Sequence, residues 1–334
     1  MKSPIEKCLS YTLEAGASEL IIVEGFTPAV RLFDEVRLIE DAPIIYFGTL
    51  DAFLKKLDAE SGVFTAGPWD DVYWRVRYSR GAFGKQASFR PILSKCPSFE
   101  ELGAPQALTS LLEVSSGLIL FAGTPCSGKT TSASSYVSAL CKNRVLRAIF
   151  LDPVGEMEIP TGDTLLMQAK SEDISKTLKQ GLLAGTDLFW LGDLKQENII
   201  DALRAAGAGA IVVATFTAGN SMGVLDALVS FESVSDMQMA RSLLSTNLKA
   251  IVMQHLIPAI DFSQMFAAWE LIYNTQNISS FIRSGEHFKL PSLIASASAE
   301  GMLSIDMSLK ELVESQYITK ENALKLAFDP SKIP

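Results

Sequence analysis

Eight consecutive residues, Gly123-Thr-Pro-Cys-Ser-Gly-Lys-Thr130, combine the residue types that bind a chain of phosphates. The glycines allow backbone N–H groups to close round phosphate oxygens. Lys129 can carry positive charge to the outer phosphates, and the hydroxyl of Thr130 can ligate Mg²⁺. The pattern predicts that ATP and Mg²⁺ are bound by Gly123, Thr124, Pro125, Cys126, Ser127, Gly128, Lys129, Thr130 and Thr131.

The residues on either side of this loop support the same prediction. The apolar run GLILFA precedes it and is typical of a buried strand, and Thr131–Leu140 can form a helix. A strand, a glycine-rich loop and a helix in this order are the context that a phosphate loop requires. A chance glycine-rich turn is the less favoured interpretation.

Hydrolysis needs an acidic residue at the end of a neighbouring strand. The run Asp187-Leu-Phe-Trp-Leu-Gly-Asp193 is an apolar strand that ends in a carboxylate, and Asp152-Pro-Val-Gly-Glu156 follows another apolar strand. Glu156 and Asp193 are therefore the candidate catalytic residues, and Thr130 and Asp193 are the candidate Mg²⁺ ligands. The sequence leaves open which carboxylate handles water, and whether Asp193 only ends a buried strand at a solvated turn.

Composition limits the classes of protein that fit. A chain of 334 residues that is 48% hydrophobic can form about two domains. A net charge of −9 argues against a nucleic-acid partner held through phosphate neutralisation. The first residues lack the apolar core of a signal peptide, and no uncharged apolar run approaches the ~20 residues of a membrane span. We therefore expect a cytoplasmic protein without direct membrane insertion.

The pattern along the chain predicts an α/β protein of two domains. The first hundred residues show short helical and strand patterns, typical of an α+β module. The Pro- and Gly-containing stretch CPSFEELGAP, at 96–105, marks a boundary. Beyond it, apolar strands alternate with helices, which predicts a mainly parallel sheet. The predicted divisions are an N-terminal domain at 1–97, a linker at 98–108 and a phosphate-loop domain with C-terminal helices at 109–334.

The ordered motifs resemble those of the PilT twitching-motility ATPases of type IV pili, within the secretion ATPase superfamily. The motifs that carry the resemblance are GLILFAGTPCSGKTTSASSYV, AIFLDPVGE, DLFWLGDL, GAIVVATFTAGNS, FIRSGE and GMLSIDMSL, with GASELII, TPAVRLF and VYWRVRYSRGAFGKQASFRPI near the start. The resemblance implies an N-terminal PAS-like domain followed by a RecA-like domain. It covers nearly the whole chain.

The resemblance also implies partners and further site residues. It implies a hexameric ring, either of this chain alone or mixed with a paralogous ATPase, at the inner-membrane base of a pilus beside a platform protein. Arg75 and Arg90 match arginines that meet the ATP phosphates in the family, while a third family arginine falls on Phe83. Arg77 and Arg80 could substitute. A solvated strand face is the alternative interpretation of each of these arginines.

Several positions depart from the family pattern. The resemblance places a glutamate at Leu151 and another at Asp193, where aspartate shortens the reach to water by about one methylene. Histidines of the family fall on Ala210 and Thr217, and arginines fall on Leu183 and Ser279. The two histidines of the chain, His255 and His287, lie elsewhere and are expected to be structural or exposed.

These departures leave three hypotheses. The first is a PilT-like motor with slow hydrolysis, and the second is a regulatory subunit that binds nucleotide and joins the ring of an active paralogue. The third is a fibre-assembly or export ATPase. Such relatives carry a further N-terminal domain and a four-cysteine zinc loop. Neither feature is expected here, and the zinc loop is excluded on ligand count because Cys141 is the only cysteine after the phosphate loop.

Overall fold

The structure is a computed structural model that describes residues 2–32, 35–55, 62–81, 84–92, 96–151, 159–169, 173–262, 264–290, 293–294 and 301–334. The described residues form two compact units, one up to Ile92 and the other from Cys96 onwards. Each unit contains its own hydrophobic core. The domain limits 1–97, 98–108 and 109–334 remain predictions.

In the described residues, the first unit is an antiparallel sheet of six strands with two helices. The strand order is β3-β2-β1-β6-β5-β4, and each neighbouring pair is antiparallel. This arrangement confirms the predicted α+β character of the first hundred residues. Its elements are α1 (Pro4–Glu14), β1 (Glu19–Val23), β2 (Ala29–Leu32), β3 (Glu35–Leu38), α2 (Thr49–Lys55), β4 (Gly62–Trp69), β5 (Val72–Gly81) and β6 (Gly84–Ile92).

Local sequence explains the first helix of this unit. Ser3 precedes α1, and its hydroxyl accepts a hydrogen bond from the backbone N–H of Glu6 at 3.2 Å. The Glu6 carboxylate accepts in turn from the backbone N–H of Ser3. These reciprocal bonds satisfy two N–H groups at the helix start, and Pro4 lacks the N–H that would otherwise need a partner.

The second unit is built on a sheet of seven strands. The order is β13-β12-β7-β11-β10-β8-β9, and every neighbouring pair is parallel except β12 and β13. This confirms the predicted parallel α/β pattern. Its elements are a 3₁₀ helix (Gln106–Glu113), β7 (Gly117–Gly123), α3 (Lys129–Asn143), β8 (Arg147–Phe150), β9 (Leu165–Gln168), α4 (Ile174–Leu183), β10 (Leu188–Asp193), α5 (Ile199–Gly207), β11 (Ile211–Thr217), α6 (Ser221–Val229), α7 (Val234–Asn247), β12 (Leu248–Pro258), β13 (Met265–Tyr273), α8 (Gln276–Ser284), α9 (Ile305–Glu314) and α10 (Lys320–Leu324).

The central strand β7 is buried on both faces. Leu118 and Leu120 pack in one apolar cluster, and Ile119 and Phe121 pack in the other. Burial of both faces explains why β7 is an unbroken apolar run rather than an alternating one. Each fully buried side chain of this size stabilises the fold by about 1.5–3 kcal/mol, so the strand end that carries the phosphate loop is firmly held.

The topology brings three strand ends to one edge of the sheet. The parallel strands β7, β11 and β10 are consecutive in the sheet and end at Gly123, Thr217 and Asp193. Ligands of open α/β sheets bind at this carboxyl edge. Across the described ranges, every helix is too short or too polar to cross a bilayer.

Candidate functional site

The candidate site is built round the loop that joins β7 to α3. β7 ends at Gly123 and α3 begins at Lys129, so the loop lies between a buried strand and a helix of 15 residues. Thr124, Pro125 and Cys126 are exposed, while Lys129, Thr130 and Thr131 are partly exposed. The nine residues predicted to bind nucleotide therefore follow one another round a single turn and onto the first turn of α3.

Backbone conformation explains the glycine at the start of α3. Gly128 has a φ of 83°, in the left-handed region that glycine adopts without strain. Cys126 also has a positive φ, of 66°, which is uncommon for a residue with a side chain. Two left-handed residues within three positions fold the loop tightly over the start of the helix.

The first turn of α3 suits a phosphate. Gly128 precedes the helix, and within the described part of the chain no side chain caps that end. The first N–H groups of a helix lack partners within the helix and carry partial positive charge, so an anion can satisfy them. The residues present fit a nucleotide with Mg²⁺, because uncapped amides, a lysine and the Thr130 hydroxyl occupy one turn.

Lys129 lies close to the loop that it serves. Its ammonium group donates a hydrogen bond to the backbone carbonyl oxygen of Thr124 at 3.2 Å, across the width of the loop. A lysine held over the loop is in position to exchange a carbonyl partner for a phosphate oxygen. This is the charge placement that phosphate loops use.

A buried glutamine, which the sequence motifs do not predict, lies beneath the loop. Gln254 of β12 is 3% exposed, and its side-chain oxygen accepts a hydrogen bond from the Ser132 hydroxyl at 2.7 Å. Nearby, the Ser127 hydroxyl oxygen is buried and has no hydrogen-bond partner among the described residues. The available signal was one uncharged polar residue inside the apolar strand IVMQHLIP.

Asp193 ends the strand β10, as the sequence predicted. It is exposed, and its register partner on β11 is Thr215. Gly192 before it has a φ of 63°, and the register between β10 and β11 shifts between Trp190 and Asp193. This irregularity ends the strand with a carboxylate that is open to solvent, on the second strand from the phosphate loop.

The two positions that carry family histidines lie far apart. Thr217 is at the carboxyl end of β11 and is the register partner of Gly123. Ala210 is buried just before β11, where its carbonyl oxygen accepts from the N–H of Gly117 at the start of β7. Of these two departures from the family pattern, only Thr217 therefore lies beside the loop. Ala210 lies at the opposite edge of the sheet.

Arg75 and Arg90, the predicted phosphate-contacting arginines, belong to the first unit. They are register partners on β5 and β6. The Arg90 guanidinium is 3.1 Å from the carboxylate of Glu19. Burial acts to raise the pKa of Glu19, but the charge of Arg90 and hydrogen bonds from its neighbours outweigh it, so the pKa is lowered. Arg90 is thus a partner in a structural ion pair within the first unit.

The other residues singled out from the sequence either lie outside the described residues or have no described contact with the phosphate loop. Glu156, Asp152 and Phe83 lie outside the described residues, so their predicted roles are not located. Arg77 and Arg80 are exposed on β5. His255 is largely buried, and burial lowers its pKa, which keeps the imidazole neutral.

A cavity of about 530 Å³ lies in the C-terminal part of the second unit, apart from the phosphate loop. His255, Glu270 and Asp306 are among the residues that line it. Burial raises the pKa of Glu270 to about 7, with the nearby charge of Asp306 acting in the same direction and a hydrogen bond with Ser221 opposing it. Ser221 is the first residue of α6, so this carboxyl group joins β13 to that helix.

Comparison with known proteins identifies the family. The family described as "Type II/IV secretion system protein" matches residues 87–284, which is more than half of the chain. The chain belongs to this family. The matched residues include the phosphate loop, β10 and β11, so the family's pattern covers the site described above.

Two relatives in Pseudomonas aeruginosa are similar along almost their whole length. The type IV pilus retractation ATPase PilT is 28% identical over 344 residues, covering 99% of this chain and 98% of PilT. The type IV pilus ATPase PilU is 27% identical over 333 residues, covering 96% of this chain and 87% of PilU. These similarities confirm the predicted resemblance to PilT and support a secretion-family ATPase.

A solved structure supports the fold class. The crystal structure of the pilus retraction motor PilT with bound ADP matches with a TM-score of 0.76 at 24% identity, covering 99% of each chain. The likeness confirms the predicted fold, an N-terminal domain followed by a RecA-like ATPase domain. At this identity it extends to the fold alone.

Proposed function

We propose that the protein is an ATP-binding motor subunit of the PilT type, in which ATP binding and slow hydrolysis are coupled to pilus retraction in twitching motility. The observation that carries the proposal is the phosphate loop: the first turn of α3 has no side-chain cap among the described residues, and Lys129 of that turn reaches back across the loop to the carbonyl oxygen of Thr124. The family match and the relatives PilT and PilU support the same activity.

The proposed roles follow from where the side chains lie. Backbone amides between Gly123 and Thr131 bind the phosphates, and Lys129 neutralises their charge. Thr130 and Asp193 hold Mg²⁺, which when bound would neutralise charge on the phosphates. Glu156 and Asp193 are the candidates to orient the attacking water, since each follows an apolar strand in the sequence.

Slow hydrolysis is proposed because two hydrolytic groups differ from the family pattern. Asp193 is shorter than glutamate by about one methylene, and a misplacement of ~1 Å can reduce a rate about a hundredfold. Thr217 pairs with Gly123 where the family has a histidine, and a threonine hydroxyl cannot exchange a proton near neutral pH as an imidazole can. The phosphate-binding residues of the loop match the family pattern, whereas Asp193 and Thr217, at the positions that serve hydrolysis, do not.

The assembly and location are also proposals, and they rest on the resemblance. We propose a homo-hexamer or a mixed ring with a paralogous ATPase, in the cytoplasm at the inner-membrane pilus base, beside a platform protein. Arg75 and Arg90 are proposed to meet the nucleotide phosphates in the assembled ring. Motion of the two domains against each other would transmit force.

One observation favours a second candidate function. Thr217 occupies the position beside the phosphate loop where the family carries an imidazole. A subunit that binds nucleotide there without appreciable turnover would serve as a regulatory member of a paralogue's ring. Both candidate functions predict that the protein binds MgATP, but only the motor subunit is expected to hydrolyse it at a measurable rate.

Turnover of ATP by the purified protein separates these candidates. Wild type is compared with Lys129→Ala, which removes the phosphate-binding charge, and with Asp193→Asn, which keeps the shape but removes the carboxylate. Slow turnover that both substitutions abolish supports the motor. Tight MgATP binding with turnover equal to that of Lys129→Ala supports the regulatory subunit.

A further inference from the structure

Gln254 lies directly beneath the phosphate loop. Strand β12 runs parallel to β7, and Met253 is the register partner of Ala122, so Gln254 is level with Gly123. The side chain is 3% exposed, and its strand neighbours from Ala250 to Met253 are apolar and buried. A glutamine in such a place is costly to bury unless its amide is used.

The glutamine contacts both fixed glycines of the loop motif. A β-carbon on Gly123 would lie 2.6 Å from the backbone carbonyl oxygen of Gln254, and one on Gly128 would lie 2.8 Å from its side-chain nitrogen. Both distances are shorter than real contacts of a β-carbon. The backbone of Gln254 therefore leaves no room for a side chain at Gly123, whereas glycine is favoured at Gly128 by its left-handed backbone, with the Gln254 amide packed against it.

The side-chain oxygen of Gln254 connects the strand to the helix. It accepts a hydrogen bond from the Ser132 hydroxyl at 2.7 Å, and Ser132 is fully buried in the first turns of α3. The backbone N–H of Ser132 donates to the carbonyl oxygen of Gly128 at 3.0 Å. The side-chain amide of Gln254 thus contacts the end of the loop and the helix whose N–H groups face the phosphates, while its backbone carbonyl oxygen approaches the beginning of the loop.

We propose that Gln254 is a positioning residue that holds the phosphate loop in its nucleotide-binding shape. The inference rests on the proposed binding of MgATP at this loop and adds a residue on β12 to it. Gln254 acts through Gly123, Gly128 and Ser132 and does not itself touch the nucleotide. Its loss should weaken MgATP binding more than it weakens the fold.

The first test replaces Gln254 by methionine, which keeps the length of the side chain and removes its hydrogen bond to Ser132. Calorimetric titration with MgATP should show Kd raised about tenfold, while the thermal midpoint stays within a few degrees of wild type. The matched control is Gln238→Met on the exposed face of α7, which should leave both values unchanged. MgATP binding by Gln254→Met as tight as by wild type would overturn the inference.

A second variant, Gln254→Glu, keeps the shape and an oxygen that accepts from Ser132. When ionised it places negative charge beneath a loop that receives phosphates, so MgATP affinity relative to wild type should fall more at pH 8.5 than at pH 5.5. Gln238→Glu serves as its control. A ratio of affinities that is the same at both pH values would contradict a positioning role. Wild-type protein that fails to bind MgATP would instead reject the proposed function, which keeps the two failures apart.

Discussion

Thr217, the last residue of β11, is the register partner of Gly123, the first glycine of the phosphate loop. The next residue, Ala218, donates its backbone N–H to the carbonyl oxygen of Gly123 at 3.2 Å. The strand end and the loop are therefore in direct contact. The side chain at position 217 is exposed beside the site, which makes this position the most informative of the departures from the family pattern.

Restoring an imidazole at this position should raise turnover. We expect Thr217→His to increase the ATPase rate about tenfold, since a positioned acid or base contributes roughly 10²–10⁴-fold when its partners are also in place. Steady-state phosphate release measures the effect. Ala210→His is the control, because Ala210 lies at the opposite edge of the sheet, and a rate increase from Ala210→His alone would contradict this account.

Lengthening the carboxylate at the end of β10 should also raise turnover. Asp193→Glu adds about one methylene of reach, and we expect a rate increase of about ten- to a hundredfold with little change in MgATP affinity. Asp193→Asn should abolish turnover while keeping ADP affinity. The fold should tolerate both substitutions because Asp193 is exposed. A rate unchanged in both variants would remove Asp193 from the hydrolytic site.

Cys126 should report whether the loop is occupied. It is the exposed cysteine of the chain, whereas Cys8, Cys96 and Cys141 are buried and burial raises the pKa of each thiol. N-ethylmaleimide should therefore modify Cys126 first. Saturating MgATP should slow this modification at least about tenfold, as measured by mass spectrometry of the intact protein, with Cys126→Ser as the control. Equal rates with and without nucleotide would place the nucleotide elsewhere.

The buried carboxyl group of Glu270 should make stability depend on pH. Burial raises its pKa from 4.5 to about 7, so the folded state favours the protonated form. Its contribution to stability is complete below pH 4.5 and is lost as the pH rises through 7, by about 3 kcal/mol at most. Glu270→Gln mimics the protonated form and should remove this loss.

The measurement for Glu270 is the free energy of unfolding in urea between pH 4.5 and 8. The difference between wild type and Glu270→Gln should shift in favour of the variant as the pH rises. Glu311→Gln, which removes an exposed carboxylate of α9, controls for the loss of charge itself. Parallel curves for wild type and Glu270→Gln would show that Glu270 is not shifted in the folded protein.

The parts of the fold that follow from short-range pattern were predicted well. The apolar runs at 118–122 and 188–191 lie within β7 and β10, because strands buried on both faces have unbroken apolar sequences. The phosphate loop was predicted because its residue types are adjacent in sequence.

The contacts that sequence reasoning missed are long-range. Gln254 is 122 residues from Ser132, and the pairing of β12 with β7 decides that they meet. The ion pair between Arg90 and Glu19 depends on the pairing of β1 with β6. The sequence around Arg90 alone therefore does not show that this arginine has a structural partner. The distance of Ala210 from the loop likewise follows from its place at the start of β11.

The central claim, that the loop from Gly123 to Thr130 binds a nucleoside triphosphate, is tested most directly by calorimetric titration of the purified protein with ATP in the presence and absence of Mg²⁺. The account predicts saturable, Mg²⁺-dependent binding by wild type, with affinity reduced at least about tenfold in Lys129→Ala at an unchanged thermal midpoint. No binding by wild type, or equal binding by Lys129→Ala, would contradict it.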